Sequence, residues 1–286
     1  MKGIILAGGS GSRLWPATSA LSKQLLPIYD KPLIYYPLAT LLQIGIKKVL
    51  IITRKDEEDL FRKVLGNGQK FGIEISYGTQ NNPSGIAEAL LIAEEFLDGQ
   101  PTTLILGDNI FHGLNFKNFQ LSKKIFSGAH IFTYEVNNPQ DFGVIKEIDG
   151  GKNFIVIEKP STFVSNFAVT GLYMFDEKAS NYAKTLKPSA RGELEISDLI
   201  NIYSNNNSLT VSKMERGAAW LDTGTALSMH DASTFVRILE ERTGTKIACL
   251  EEIALNQGLI SKNDLEKTLE LYPNSKYKEY VANLIA

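Results

Sequence analysis

The chain has 286 residues, a formal net charge of −2 and 43% hydrophobic residues, enough to bury a large core with one appended subdomain. Near-neutral charge without a basic stripe argues against nucleic-acid binding. No apolar run approaches the ~20 residues of a membrane span, and the stretch from Gly3 to Ala7 is too short for a signal-peptide core, so a cytoplasmic protein without membrane contact is expected. The single cysteine, Cys249, forms no internal disulfide, lacks partners at metal-ligand spacing and reads as a small buried hydrophobe.

The chain opens with a short apolar strand, Ile4-Ile5-Leu6-Ala7, that runs into Gly8-Gly9-Ser10-Gly11-Ser12-Arg13. Glycines there let backbone N–H groups approach an anion, and Arg13 adds a planar fork of donors suited to phosphate oxygens. A P-loop is excluded because no Gly-Lys-Ser/Thr closes the turn, and in the dinucleotide fingerprint the third glycine would fall on Leu14. A free triphosphate fits better, while an ordinary Gly-Ser turn with a solvated arginine remains the alternative. Lys23, in Ser22-Lys23-Gln24-Leu25-Leu26-Pro27, lies in a segment too apolar for a solvated face, and a half-buried lysine needs an anion.

Asp30 is expected to cap a helix with Pro32 in its first turn, running to Gly45. Runs at Lys48–Thr53, Ile73–Tyr77, Thr102–Leu106 and His130–Tyr134 read as buried strands, with helical periodicity over Asp56–Leu65 and Ile86–Leu97. This alternation predicts an α/β fold, a Rossmann-like, mostly parallel sheet flanked by helices, with ligands at the carboxyl ends of the strands. From Gly143 the pattern shifts to Val144–Ile148, a turn at Asp149-Gly150-Gly151, Phe154–Ile157 and Asn166–Phe175, a smaller antiparallel patch beside the main sheet. After Asp222 the chain reads as helical to its end, with a capping box at Ser261 and Asp264. Hexapeptide repeats are absent, so no parallel β-helix is expected.

Thr102–Leu106 ends in Gly107-Asp108-Asn109, which puts a carboxylate at the same edge as the glycine loop; Asp222, in Trp220-Leu221-Asp222-Thr223-Gly224, is a second acidic candidate. An Asx turn or helix cap explains either aspartate alone. Together with a phosphate loop they favour Mg²⁺. Glu158-Lys159-Pro160 reads as a surface ion pair or as a group facing the first site, and Arg191, in Arg191-Gly192-Glu193-Leu194-Glu195, as a loop residue or a second phosphate ligand.

The glycine loop with Arg13, the run from Ser22 to Pro32 with Tyr35-Tyr36-Pro37, Leu106-Gly107-Asp108-Asn109, Glu158-Lys159-Pro160, Val169-Thr170-Gly171-Leu172-Tyr173, Arg191 to Ile196 and Trp220 to Gly224 occur in this order. In these segments the chain resembles the sugar-1-phosphate nucleotidyltransferases nearly end to end, and within them the glucose-1-phosphate thymidylyltransferase branch. The resemblance implies transfer of a thymidylyl group from dTTP to glucose 1-phosphate, Mg²⁺ as cofactor, and a first step towards dTDP-rhamnose and cell-surface polysaccharide. A UTP-preferring or other-sugar enzyme is the nearer alternative, and a non-catalytic nucleotide-sugar sensor the more distant one.

The resemblance further implies that Gly8, Gly9, Gly11, Ser12, Arg13 and Lys23 hold the triphosphate and that Gln80 and Gly85 face the base. It implies that Asp108 and Asp222 ligate the metal, that Lys159 binds phosphate, and that Gly143, Glu158, Val169 and Arg191 line the sugar-phosphate side. A catalytic domain over residues 1–224 follows, nucleotide-binding to about 135 and sugar-phosphate-binding from 136, with a helical region over 225–286. The chain departs from the family pattern at Glu88, where glutamine is usual, at Ile157 and at Trp15. A homotetramer is implied, with a second, inhibitory nucleotide-sugar site for dTDP-rhamnose built around Arg242, Lys246, Ile247, Ala248, Glu251 and Glu252; an amphipathic interface helix is the alternative for that segment.

Overall fold

The structure, a computed structural model, describes residues 1–114, 127–148, 150 and 153–286. The chain runs β1 (Lys2–Leu6), β2 (Pro27–Ile28), β3 (Lys31–Pro32), α1 (Tyr35–Ile44), β4 (Lys48–Thr53), α2 (Glu58–Leu65), β5 (Glu74–Thr79), α3 (Glu88–Ile92), α4 (Glu94–Leu97), β6 (Thr102–Leu106) and β7 (Asn109–His112). It continues through β8 (Ala129–Glu135), β9 (Gly143–Ile148), β10 (Asn153–Glu158), β11 (Phe167–Phe175), α5 (Ala179–Ala183), α6 (Ile196–Asn205), β12 (Leu209–Lys213) and β13 (Ala219–Asp222). Helices α7 (Ala226–Thr243), α8 (Leu250–Asn256), α9 (Lys262–Glu270) and α10 (Lys276–Asn283) close it.

The main sheet has nine strands, ordered β10-β9-β11-β6-β1-β4-β5, with β8 against β11 and β12 against β8. Strands β6, β1, β4 and β5 are parallel, and successive residues point to opposite faces. Ile5, Ile51, Ile105 and Met174 pack on one face with α1 and α2, and Ile4, Leu50, Leu104 and Tyr173 on the other with α3, α5 and α6. Leu250, Leu265 and Val281 of α8, α9 and α10 join the first of these clusters. This is the expected α/β architecture with helices on both faces.

The smaller antiparallel part is present and is continuous with the parallel strands in one nine-stranded sheet. Strand β11 pairs β8 along one edge, and on the other pairs β9 at Ala168 and β6 from Leu172 onward. A register shift between Val169 and Tyr173 accompanies this divided edge, so the sheet forks where β9 and β6 part. The fork opens the cleft described below. The turn read at Asp149-Gly150-Gly151 lies outside the described residues apart from Gly150.

Two helices differ from the sequence pattern. Asp30 does not cap α1: Lys31 and Pro32 pair antiparallel with Ile28 and Pro27, and the helix starts only at Tyr35, ending as expected with Gly45 at φ 95°. The span Ile86–Leu97 is divided into α3 and α4 at Ala93. The capping box of Ser261 and Asp264 is formed at the start of α9. Among the described residues no helix is long and apolar enough to cross a membrane.

Asp30 instead enters a compact charge network. The ammonium of Lys31 contacts Asp30 and lies 2.9 Å from Glu240 Oε1, while Lys246 contacts Asp30 and lies 3.0 Å from Glu240 Oε2. The backbone N–H of Ile247 also donates to Glu240 Oε1, at 2.9 Å. Two cations and two anions thus join the β2–β3 turn to the end of α7 and the segment before α8. The side chains of Lys31 and Glu240 are only 2% and 6% exposed, so removing one partner strands a buried charge. Glu240→Ala is expected to cost about 3 kcal/mol in denaturant unfolding; a loss below about 0.5 kcal/mol, the scale of an ordinary surface substitution, would contradict this role for the network.

Candidate active site

The glycine loop leaves β1 at the carboxyl edge of the parallel strands. Gly11 takes φ 61°, a left-handed conformation that glycine adopts without strain, and the Ser12–Leu14 turn follows it directly. A Cβ on Gly8 would lie 2.7 Å from Gln80 Oε1, so the loop packs as closely as glycine allows; Gly9 faces open space and Ser12 is exposed. Arg13 is exposed, and its guanidinium lies 3.2 Å from where a Cβ on Gly224 would stand.

Lys23 is buried, and the anion it finds is Asp108, 85 residues away in sequence. Asp108 is delivered there by Gly107, whose N–H donates to Leu6 O at 2.8 Å and whose Cβ, if present, would lie 2.9 Å from that oxygen. The backbone carbonyl of Asp108 accepts from the Thr223 hydroxyl (2.8 Å) and the Thr223 N–H (3.2 Å). Strands β7 and β13 pair Asn109 with Asp222, which sets the second carboxylate beside the first. Burial, then the charge of Asp108, raises the Asp222 pKa to about 6, against the opposing pull of Lys23 and Arg13. Asp222 does not cap α7; Thr225 does.

Asn109 holds this arrangement and was not singled out in the sequence. Its Nδ2 donates to Asp108 Oδ1 (2.9 Å), and its Oδ1 accepts from Trp220 Nε1 (2.5 Å) and from the Gly171 N–H (3.2 Å). A Cβ on Gly171 would stand 2.5 Å from that oxygen. The signal was present as three separate motifs, Gly107-Asp108-Asn109, Val169-Thr170-Gly171 and Trp220-Leu221-Asp222, but nothing local shows that one amide joins them.

Arg13, Asp108 and Asp222 line one wall of a cleft of about 780 Å³ at the fork, with Gly143, Glu158, Lys159 and Val169 opposite. Lys159 is exposed and adopts φ 39°, strained for a residue with a side chain, while its N–H donates to Phe142 O at 3.0 Å. The Glu158 pKa is raised by burial and by the nearby Glu195. Arg191 reaches Glu158 at 3.3 Å, but its fork is committed to Glu195, at 3.1 and 2.7 Å, and it does not line this cleft.

Across the glycine loop lies a second cleft, of about 470 Å³, lined by Gly8, Ser10, Arg54 and Gln80 among others. Gly85 stays behind it, at φ 107°, with its carbonyl accepting from Gln80 Nε2 at 3.2 Å. A third cleft, of about 420 Å³, is lined by Lys246, Ile247, Ala248 and Glu252. Glu251 does not face it: fully buried, it accepts from the hydroxyls of Tyr272 (2.5 Å) and Tyr277 (2.7 Å). Arg242 is exposed in the last turn of α7 and is not in the lining either. From Lys246 onward the chain is helical only from Leu250, and Ala248 before it takes φ 54°.

Comparison with known proteins fits this geometry. The profile of the nucleotidyl transferase family matches residues 2–238. A Neisseria meningitidis protein named glucose-1-phosphate thymidylyltransferase is 47% identical over 286 residues, covering 100% of this chain and 99% of its own. A Mycolicibacterium smegmatis protein of the same name is 46% identical over 285 residues, again covering 100% and 99%. A Bacillus anthracis crystal structure assigned to the same enzyme superposes with a TM-score of 0.76 at 40% identity, covering 83% of this chain and 95% of that one. A UDP-glucose pyrophosphorylase structure, 22% identical with a TM-score of 0.72 over 83% of this chain and 98% of its own, shares the fold. With its glycine loop, its paired aspartates and these matches along its whole length, the chain belongs to the nucleotidyl transferase family.

Proposed function

We propose that the protein transfers the thymidylyl group of dTTP to α-D-glucose 1-phosphate, releasing pyrophosphate and forming dTDP-glucose, the starting material of deoxysugars such as dTDP-L-rhamnose. The observation that carries this reading is the convergence of Arg13, Lys23, Asp108 and Asp222 beside the glycine loop, between two clefts able to take the two substrates. The substrate pair is supported by the name of the full-length relatives.

Asp108 and Asp222 offer adjacent carboxylate oxygens, and among the described residues no group of three or more His, Cys, Asp or Glu gathers as a metal set. Two hard oxygens with room for phosphate and water suit Mg²⁺. When bound, the ion neutralises phosphate charge and fixes the phosphates in one geometry. The like-charge pair favours such a ligand, since burial and the neighbouring Asp108 already raise the Asp222 pKa.

A phosphate monoester has its second pKa near ~6, so glucose 1-phosphate arrives as a dianion and needs no general base. His112 and His130, whose pKa values are lowered by burial, are not required. An oxygen of the sugar phosphate attacks the α-phosphorus in line; the bond to the bridging oxygen breaks, and its electron pair leaves with pyrophosphate. Lys159, beside Glu158, holds the incoming phosphate from the opposite wall. Arg13 follows the charge onto the leaving group with two donors at once, whereas Lys23 acts as a point charge between Asp108 and the phosphates.

The assignment is tested by pyrophosphate release from several nucleoside triphosphates and sugar 1-phosphates: dTTP with glucose 1-phosphate should give the highest kcat/KM, and no release from that pair would refute it. Asp108→Asn and Asp222→Asn should each lose at least about a hundredfold in kcat. For ligand-free protein in EDTA the sign reverses for Asp222. A carboxyl whose folded pKa of about 6 exceeds its unfolded value contributes stability below pH ~4 and loses it as pH rises through 6. Asp222→Asn should therefore melt about 2–4 °C higher than the native chain at pH 8, with the difference vanishing near pH 4; a lower melting temperature at pH 8 would contradict the repulsive pair. Arg13→Lys should lower kcat about a hundredfold, close to 3 kcal/mol, while Lys23→Arg is better tolerated. Near-normal kcat in Arg13→Lys would reduce the arginine to substrate positioning.

A further inference from the structure

The glycine loop divides its two clefts by chemistry. Arg13 lines the one at the fork, where Asp108 and Asp222 stand; Gly8 and Ser10 line the other, with Gln80. On the reading proposed above, a triphosphate on this loop sends its base away from the sugar phosphate, over Gly8 and towards Gln80.

Gln80 is built to offer one face only. Buried at the end of β5, its backbone N–H donates to Thr53 O at 2.8 Å. Its side-chain Nε2 donates both to Gly85 O (3.2 Å) and to Glu88 Oε2 (2.7 Å). Both partners receive these bonds through an oxygen, so the amide has a single orientation, NH₂ towards α3 and Oε1 towards Gly8. The oxygen accepts no hydrogen bond among the described residues, and it lies 2.7 Å from where a Cβ on Gly8 would be. A glutamine at position 88 could turn either end of its own amide towards Gln80. Glutamate cannot.

We propose that Glu88 is a positioning residue for base selection: by accepting from Gln80 Nε2 it locks Oε1 as an acceptor facing the nucleotide base. An acceptor there pairs with the ring N3–H of thymine or uracil and opposes the N3 lone pair of cytosine. Glu88 touches no substrate; it acts through Gln80. The inference rests on the nucleotidyl-transfer reading and adds the group that sets the base class.

The test is kcat/KM for dTTP, UTP and dCTP with saturating glucose 1-phosphate, in the native protein and in Glu88→Gln, Glu88→Met and Glu88→Ala. The native protein should favour dTTP and UTP over dCTP by roughly a hundredfold or more. Glu88→Met and Glu88→Ala, which cannot accept, should each narrow that ratio at least tenfold through a higher dTTP KM, with the KM for glucose 1-phosphate unchanged. Glu88→Gln, whose carbonyl can accept, should recover most of the ratio. A folded Met or Ala variant with the native ratio and a dTTP KM within twofold of native would overturn the role of Glu88. A native enzyme that uses dCTP as well as dTTP would overturn base selection itself, and one that releases no pyrophosphate from any nucleotide would sink the reaction on which the inference stands.

Discussion

The site is organised around two carboxylates that the fold forces together. Asp108 leaves the end of β6 through a glycine that fits under Leu6 O, and Asp222 arrives on β13, paired through the backbone to Asn109. Neighbouring like charges repel, and burial, the larger cause, joins that repulsion in raising the Asp222 pKa. The chain holds them in place with neutral ties: Thr223 on the Asp108 carbonyl, and Asn109 between Asp108, Trp220 and Gly171. Lys23 supplies one nearby cation and Arg13 another. In the proposed reaction the same repulsion favours a divalent ion between the carboxylates and the triphosphate.

Sheet topology decides what stands opposite. Because β11 pairs β9 at its start and β6 at its end on one edge, the sheet opens into a fork rather than closing into a flat wall. Gly143, Glu158 and Lys159 come from the antiparallel arm, Asp108 from the parallel arm, and the cleft lies between. A separate antiparallel subdomain would set this spacing by a linker. A continuous sheet sets it by hydrogen bonds, which suits chemistry that depends on holding two anions in line.

Much of the architecture was legible because its signals are local. The strand at Lys48–Thr53, the strand at Thr102–Leu106 with Asp108 just beyond it, and the capping box at Ser261 each depend on a few neighbouring residues. What was misread depends on distant partners. Asp30 carries a helix-cap signal, but its carboxylate is claimed by Lys31 and by Lys246, 216 residues away, and the helix begins later. Arg191, by contrast, has a local partner: read from the sequence as either a loop residue or a second phosphate ligand, it holds its fork on Glu195, four residues on. Glu88 registered only as a departure from a family pattern; its bond to Gln80 gives the departure a physical content.

The central claim, that the paired aspartates form a divalent-cation site completed by nucleotide phosphates, is tested most directly by Mn²⁺ binding followed by electron paramagnetic resonance, with and without dTTP. The account predicts that the native protein with dTTP immobilises Mn²⁺ more tightly than dTTP or protein alone, and that Asp222→Asn loses this excess while still binding dTTP. Equal Mn²⁺ affinity in the native protein and Asp222→Asn, each with dTTP bound, would contradict it.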